Sequence, residues 1–253
     1  MIHATVPHLF ASWNEIAARL KRARLIALFL DFDGTLAPLH RRPEDVHLGP
    51  SMRGVIRSLR SNPRFRVCVI SGRRRADVRE RIRIAGIRYL GLHGWEDIGG
   101  AVVRDEVRQL LVCLKGRFHM RHSWVEDKGV SITIHHDADA TPAEISRVRQ
   151  AVACEVEHLG QHLRMLAGAR SWEIMPLDWK DKGGAVLREL SSMPREALPI
   201  YLGDEPADEP AFAALKHGIT VRVGELSPTH ARYRLSNVAQ VRGCLERIQK
   251  ETA

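Results

Sequence analysis

Several stretches of this 253-residue chain end in residues able to handle a phosphate. Asp31 and Asp33 stand two apart where the apolar run Leu25–Leu30 gives way to DFDGT. Ser71-Gly72-Arg73 follows FRVCVI, Lys182 opens KGGAVLREL, and Asp204 and Asp208 lie in GDEPADE after PIYL. Carboxylates held close at the end of a buried run repel one another unless a cation or a proton lies between them. Asp31 and Asp33 alternate with Phe32, so their side chains start on one side of the chain. With Asp204 brought alongside they make an oxygen-rich set suited to Mg2+. That hard cation takes one or two carboxylates together with water and substrate phosphate.

Phosphoryl transfer is the chemistry such a set suits. A phosphate monoester repels nucleophiles by its own charge. A divalent cation screens that charge, and a carboxylate can then attack in line to give an aspartyl-phosphate. The Ser71 hydroxyl and nearby backbone N–H groups can hold the transferring oxygens, while Lys182 adds positive charge. A helix opening after Ser71-Gly72-Arg73 would also favour an anion. A second carboxyl two residues on can protonate the leaving alkoxide, then deprotonate the water that cleaves the intermediate.

The elements must bring these groups to one place. LIALFL reads as a fully buried strand, a short continuous apolar run. GPSMRGVIRSLRSN has helical periodicity and stops at Asn62-Pro63. FRVCVI is a second strand, ADVRERIRIAG a helix closed by Gly86, and IRYLGLHG a short strand and turn. A helix over 11–23 comes before them. This rhythm predicts an α/β core, a Rossmann-like parallel sheet with helices outside. Ligands bind beyond the carboxyl ends of such strands, where the candidates fall. The rhythm then changes. DEVRQLLVCLKGRF is helical, VSITIHH suits an antiparallel strand with one exposed face, TPAEISRVRQAVACEVEHLG is a long helix, and LRMLAGARSWEIMP turns at Ala167-Gly168. An inserted α/β cap domain is therefore expected over 106–177, between core segments 1–105 and 178–253. The parallel rhythm resumes with KGGAVLREL, PIYLG, PAFAALKHG and ITVRVG.

Composition narrows the partners. Lys plus Arg number 39 against 30 acids, a formal charge of +9 that favours anions. The arginines are scattered, without a polybasic tail or an aromatic-basic platform, so nucleic acid is not expected. No apolar run approaches the ~18 residues of a membrane span, and the start lacks a signal-peptide layout. Cys68, Cys113, Cys154 and Cys244 form no CxxC and read as reduced thiols. A cytoplasmic monomer acting on a small phosphorylated molecule is the expectation.

DFDGT, Ser71-Gly72-Arg73, Lys182-Gly183 and GDxxxDE, in that order, resemble the haloacid dehalogenase superfamily of phosphatases. The resemblance implies that Asp31 is the nucleophile, Asp33 the general acid/base, and Ser71 and Lys182 the phosphate clamps. It also implies Mg2+ held by Asp31, the Asp33 carbonyl and Asp204, with Asp208 in support. GLHGWED, VEDKGVSITIHH, WEIMPLDWKDKG and GDEPADEPAF are similar to the trehalose-6-phosphate phosphatases. That likeness implies hydrolysis of trehalose 6-phosphate, with Gly72 and Arg73 at the phosphate end. His93 and Gly94 would face the sugar from the core, and Lys128 and Glu173 from the cap. Lys180 is a neighbouring alternative to Lys182. The chain departs from the family pattern at Glu205 and Ala207, where Asp and Thr are usual, and at His136-Asp137, where Tyr-Arg is usual.

Other readings keep the same acids: a phosphatase of sucrose phosphate or of a mannosyl- or glucosyl-phosphoglycerate, a phosphosugar mutase, or a sugar-phosphate sensor without turnover. His135, His136, Asp137 and Asp139 are spaced like metal ligands but read as a strand end and turn. Trp95, Trp172 and Trp179 read as packing residues.

Overall fold

The computed structural model describes residues 6–97, 105–117, 121–159, 163–168, 170–177, 179, 181–224 and 228–253. Along the chain run α1 (Trp13–Arg22), β1 (Ile26–Leu30), α2 (Pro50–Ser61), β2 (Phe65–Ile70), α3 (Arg75–Ile82), β3 (Arg88–Leu90), α4 (Asp105–Arg117), β4 (Ser123–Asp127) and β5 (Ile132–His136). They are followed by α5 (Pro142–Leu159), β6 (Leu163–Ala167), β7 (Ser171–Pro176), α6 (Lys182–Ser191), β8 (Leu198–Gly203), α7 (Glu209–Ala214), β9 (Ile219–Val223), β10 (Tyr233–Leu235) and α8 (Val238–Glu251). The chain divides into two compact units, Met1–Ile98 with Lys180–Ala253, and Gly99–Trp179.

In the first unit a parallel sheet has the order β10-β9-β8-β1-β2-β3. β1 is buried throughout because helices cover both faces. Its Ile26, Leu28 and Leu30 pack with Leu20, Ile56, Leu59, Leu245 and Ile248, while Ala27 and Phe29 pack with Val186, Ala211 and Phe212. Period-2 alternation thus feeds two cores at once, which explains the unbroken apolar run. α2 begins with Pro at its first turn and buries Met52, Val55, Ile56 and Leu59 at helical spacing. α3 ends earlier than the sequence suggests. Arg83 takes the left-handed conformation at φ 54° and its N–H reaches the Arg79 carbonyl, so Gly86 closes a later turn.

β10 and α8 complete this unit and have no counterpart in the expected rhythm. β10 has only three residues, and charged neighbours conceal it. α8 did carry a signal, since Val241, Cys244, Leu245 and Ile248 fall on one buried face after the N-cap Asn237. The N-terminal segment belongs here too. The Trp13 indole donates to Glu251, and the Arg234 N–H donates to the Pro7 carbonyl.

The second unit is an antiparallel sheet ordered β4-β5-β7-β6. Ile132, Ile134, Trp172 and Ile174 from its strands pack against Val107, Leu110 and Leu114 of α4 and Val148 and Val152 of α5. The other face of β5 differs from expectation. Ser131 and Thr133 are buried, not exposed. Register explains part of this, because Thr133 lies opposite Glu173 and Ser131 donates to the Glu173 carboxylate at 2.9 Å.

Candidate active site

β1 is the switch point of the parallel sheet. The chain steps from β1 to β2 and β3 on one side, and β8 joins it on the other. Register places Leu30 beside Leu202, and the Asp31 N–H donates to the Leu202 carbonyl at 3.0 Å. Asp31 and Asp204 therefore leave adjacent strand ends together, in the crevice where open α/β sheets bind ligands.

Four charged groups meet there. Lys182 is fully buried and donates to Asp31 Oδ1 and Asp208 Oδ1, each at 2.7 Å. It sits in the first turn of α6, capped by Asp181, where the helix dipole disfavours a cation. Burial also works to lower its pKa, but Asp208 and Asp31 overcome this and hold it well above its usual value. The Tyr201 hydroxyl donates to Asp208 Oδ1 at 2.8 Å, and Asp208 Oδ2 accepts the Glu205 N–H at 2.9 Å. Thr35 donates to Asp204 Oδ1 at 3.0 Å. Asp31 Oδ2 is buried with no hydrogen-bond partner in the protein.

Charge is crowded in this cluster. Carboxylate oxygens of Asp31, Asp204 and Asp208 lie within 4.8 Å of one another. Burial raises Asp31 well above the usual carboxylate range, with Lys182 opposing and Asp208 and Asp204 reinforcing the rise. Asp204 is pushed to about 7 by burial, Glu205 and Asp208, against Thr35 and Lys182. Glu205 is also raised by burial, with Lys182 and His93 opposing and Asp208 adding to the rise. A hard divalent cation among these oxygens would relieve that repulsion, so the donor set fits Mg2+.

Asp33 does not join this cluster through its side chain. Arg73 grips it, Nε to Oδ2 and one Nη to Oδ1, both at 2.7 Å. The pair that starts on one side of the chain thus divides between two basic partners. Gly34, at φ 77°, turns the loop so closely beneath Asp204 that a Cβ there would sit 2.0 Å from its Oδ2. Ser71 is buried, and its Oγ accepts the Arg73 N–H at 3.1 Å. Gly72 lies between them on the same turn.

His93 arrives from the turn after β3. Its N–H donates to the Ser71 carbonyl at 2.9 Å, which ties the two turns together. Leu92 and His93 are both left-handed, at φ 50° and 56°, a backbone that costs non-glycine residues of order 1–3 kcal/mol each and gathers at functional sites. Gly94 has a packing reason: a Cβ there would meet Ala185 at 2.5 Å, and its carbonyl accepts from Arg188.

Lys128 and Glu173, with residues 135–139, lie in the second unit. Lys128 and Glu173 are buried and bonded to each other at 3.2 Å. Asp137 accepts from His122 and from the Asp139 N–H, a strand-end turn, and His135 bonds Glu126. Trp172 and Trp179 are buried; Trp95 is half-buried. Lys180 lies outside the described residues. The hydroxyls of Thr35 and Tyr201 and the acid of Glu205 had no role in the sequence reading. Thr35 stands within DFDGT and Glu205 within the acidic loop, so their places were visible there; Tyr201 is an ordinary strand aromatic by sequence.

A parallel sheet with these acids at its switch point and a smaller antiparallel unit inserted is the fold of the haloacid dehalogenase-like hydrolases. A solved member from Bacteroides thetaiotaomicron aligns over 88% of this chain and 99% of its own, at TM-score 0.61 and 17% identity. The C-terminal domain of Candida albicans trehalose-6-phosphate phosphatase aligns over 98% of this chain and 99% of its own, at TM-score 0.82 and 19% identity. In sequence, the Trehalose-phosphatase family profile matches residues 29–100. The trehalose-phosphate phosphatase of Mycobacterium tuberculosis is 31% identical over 90% of this chain and 62% of its own length. The probable trehalose-phosphate phosphatase 2 of Oryza sativa is 27% identical over 96% of this chain and 72% of its own. In sequence and in fold the chain is similar to the trehalose-phosphate phosphatases.

Proposed function

We propose that the chain is a Mg2+-dependent phosphatase that hydrolyses trehalose 6-phosphate to trehalose and phosphate through an aspartyl-phosphate on Asp31. The observation that carries this reading is the state of Asp31. Lys182 fixes one of its oxygens, the other has no protein partner, and two further acids crowd it. The choice of sugar is supported by the likeness to trehalose-phosphate phosphatases.

Asp31, Asp204 and Asp208, with the Asp33 carbonyl, would hold the cation. It would neutralise phosphate charge and gather the acids around the reacting group. Lys182 orients the Asp31 carboxylate and opposes the burial that disfavours its charge. The Asp31 oxygen attacks phosphorus as the bond to the sugar oxygen breaks, and Asp33 gives that oxygen its proton. Asp33 then takes a proton from water as the water oxygen attacks phosphorus, releasing phosphate and restoring Asp31. Ser71 and the turn with Gly72 steady the transferring oxygens. Sugar contacts are proposed for His93 and Gly94 in the first unit and, separately, for Lys128 and Glu173 in the second.

Phosphate release is the test, measured over a panel that includes trehalose 6-phosphate, sucrose phosphate and glucosyl-phosphoglycerate. Trehalose 6-phosphate should be the best substrate, EDTA should stop release, and Asp31→Asn should release none. Activity retained by Asp31→Asn would refute the nucleophile. A better rate with another sugar phosphate would overturn the substrate but leave the chemistry.

A further inference from the structure

We infer that Arg73 is a positioning residue for the acid/base Asp33 and spends its guanidinium on that task, leaving the phosphate to other groups; this rests on the acid/base role proposed for Asp33. A guanidinium has five N–H donors in a rigid fork. Arg73 gives two to Asp33 Oδ1 and Oδ2 at 2.7 Å, one to Asp77 Oδ2 at 3.0 Å and one to the Pro43 carbonyl at 2.7 Å. Four of the five donors are thus used within the protein. The guanidinium carbon also lies 5.8 Å from the centre of the Phe32 ring, within reach of a cation–π contact. Arg81 holds Asp77 in turn through Oδ1 at 2.7 Å.

The anchoring decides which partner is fixed. Arg73 is tied to α3 through Asp77, to the loop at Pro43, and to Phe32 below, whereas among the described residues the Asp33 side chain is held by Arg73 alone. A bidentate pair sets the plane of the carboxylate as well as its place. Each oxygen keeps a second lone-pair site, so Asp33 can pass a proton without leaving the fork. Placement of this kind matters because a misplacement near 1 Å can cost about 100-fold in rate.

The experiment compares Arg73→Gln and Arg73→Lys with Asp33→Asn and the double variant, on trehalose 6-phosphate and on p-nitrophenyl phosphate. The sugar alkoxide needs a proton to leave; nitrophenolate does not. In Arg73→Gln, kcat for the sugar phosphate should fall by about 10- to 100-fold, a part of the usual general-acid contribution, with KM changed little. p-Nitrophenyl phosphate should give a burst of nitrophenolate near one per enzyme and then slow turnover, since only the later hydrolysis needs the base. Arg73→Lys, which offers no fork, should recover little. Arg73→Gln should add nothing to Asp33→Asn. Raised KM for both substrates, weaker inhibition by inorganic phosphate and an additive double variant would overturn the inference and make Arg73 a phosphate ligand. Full activity in Asp33→Asn would instead sink the acid/base reading itself. Should Arg73→Gln fail to fold by circular dichroism, Asp77→Ala, which removes an anchor without touching Asp33, should give the same burst in milder form, and its absence would count against the inference.

Discussion

Asp204 titrates near 7 because burial and two neighbouring acids oppose its charge. Its ordinary value is 3.8, so between these limits the folded chain holds a proton that the unfolded chain has lost. Stability from this group is therefore present at low pH and falls as pH rises from about 4 to about 7. Asp31 is shifted in the same direction. A cation binds the ionised acids, so its stabilisation should grow over the same range. In thermal unfolding, excess Mg2+ should raise Tm more above about pH 8 than below about pH 6. Equal shifts at both would mean that these acids do not bind the ion. Sequence alone gave the acids and their order. It did not give their crowding, which depends on Glu205 turning in beside Asp208 and Lys182.

At the scale of elements, the turn after β1 does the positioning. Gly34 combines φ 77° with a backbone pressed against Asp204. A methyl group there would strain the turn and push the Asp204 carboxylate aside. Gly34→Ala should therefore raise the Mg2+ concentration needed for half-maximal activity by 10-fold or more in order of magnitude, equivalent to about 1.4 kcal/mol, while circular dichroism stays unchanged. Normal Mg2+ activation in that variant would mean that the close approach is unimportant to the ion. Strand ends were legible because burial on both faces of β1, β2 and β8 writes itself as apolar runs. The fork between Arg73 and Asp33 was not legible, because the two residues are 40 positions apart and an arginine has no periodic signature. α8 was readable from its buried face, whereas the three residues of β10 were too few to show a period.

Over the whole molecule, two units carry different kinds of polar group. The first gathers Asp31, Asp204, Asp208 and Lys182. The second buries Lys128, Ser131 and Thr133 beside Glu173, and the Thr133 hydroxyl finds no protein partner there. Buried polar groups without partners are uncommon and ask for a reason, and sugar hydroxyls would supply one. Lys128→Ala should raise KM for trehalose 6-phosphate by roughly 10-fold, the worth of one to two charged hydrogen bonds, while p-nitrophenyl phosphate is hydrolysed as before. A matching loss on both substrates would mean that Lys128 supports the fold and not the sugar. Among the described residues no helix is long and apolar enough to cross a membrane.

The sequence by itself determined which residue types end each buried strand, and therefore that acids, a hydroxyl and an ammonium would collect along one edge of a parallel sheet. It could do so because strand burial and chain direction are local properties, written in hydrophobic period. Only the tertiary structure decided how those groups divide: Lys182 between Asp31 and Asp208, Tyr201 also on Asp208, Arg73 on Asp33, and Thr35 on Asp204. Partner choice among charges depends on distances of a few ångströms between segments remote in the chain. Packing sets those distances, and no spacing along the sequence records them.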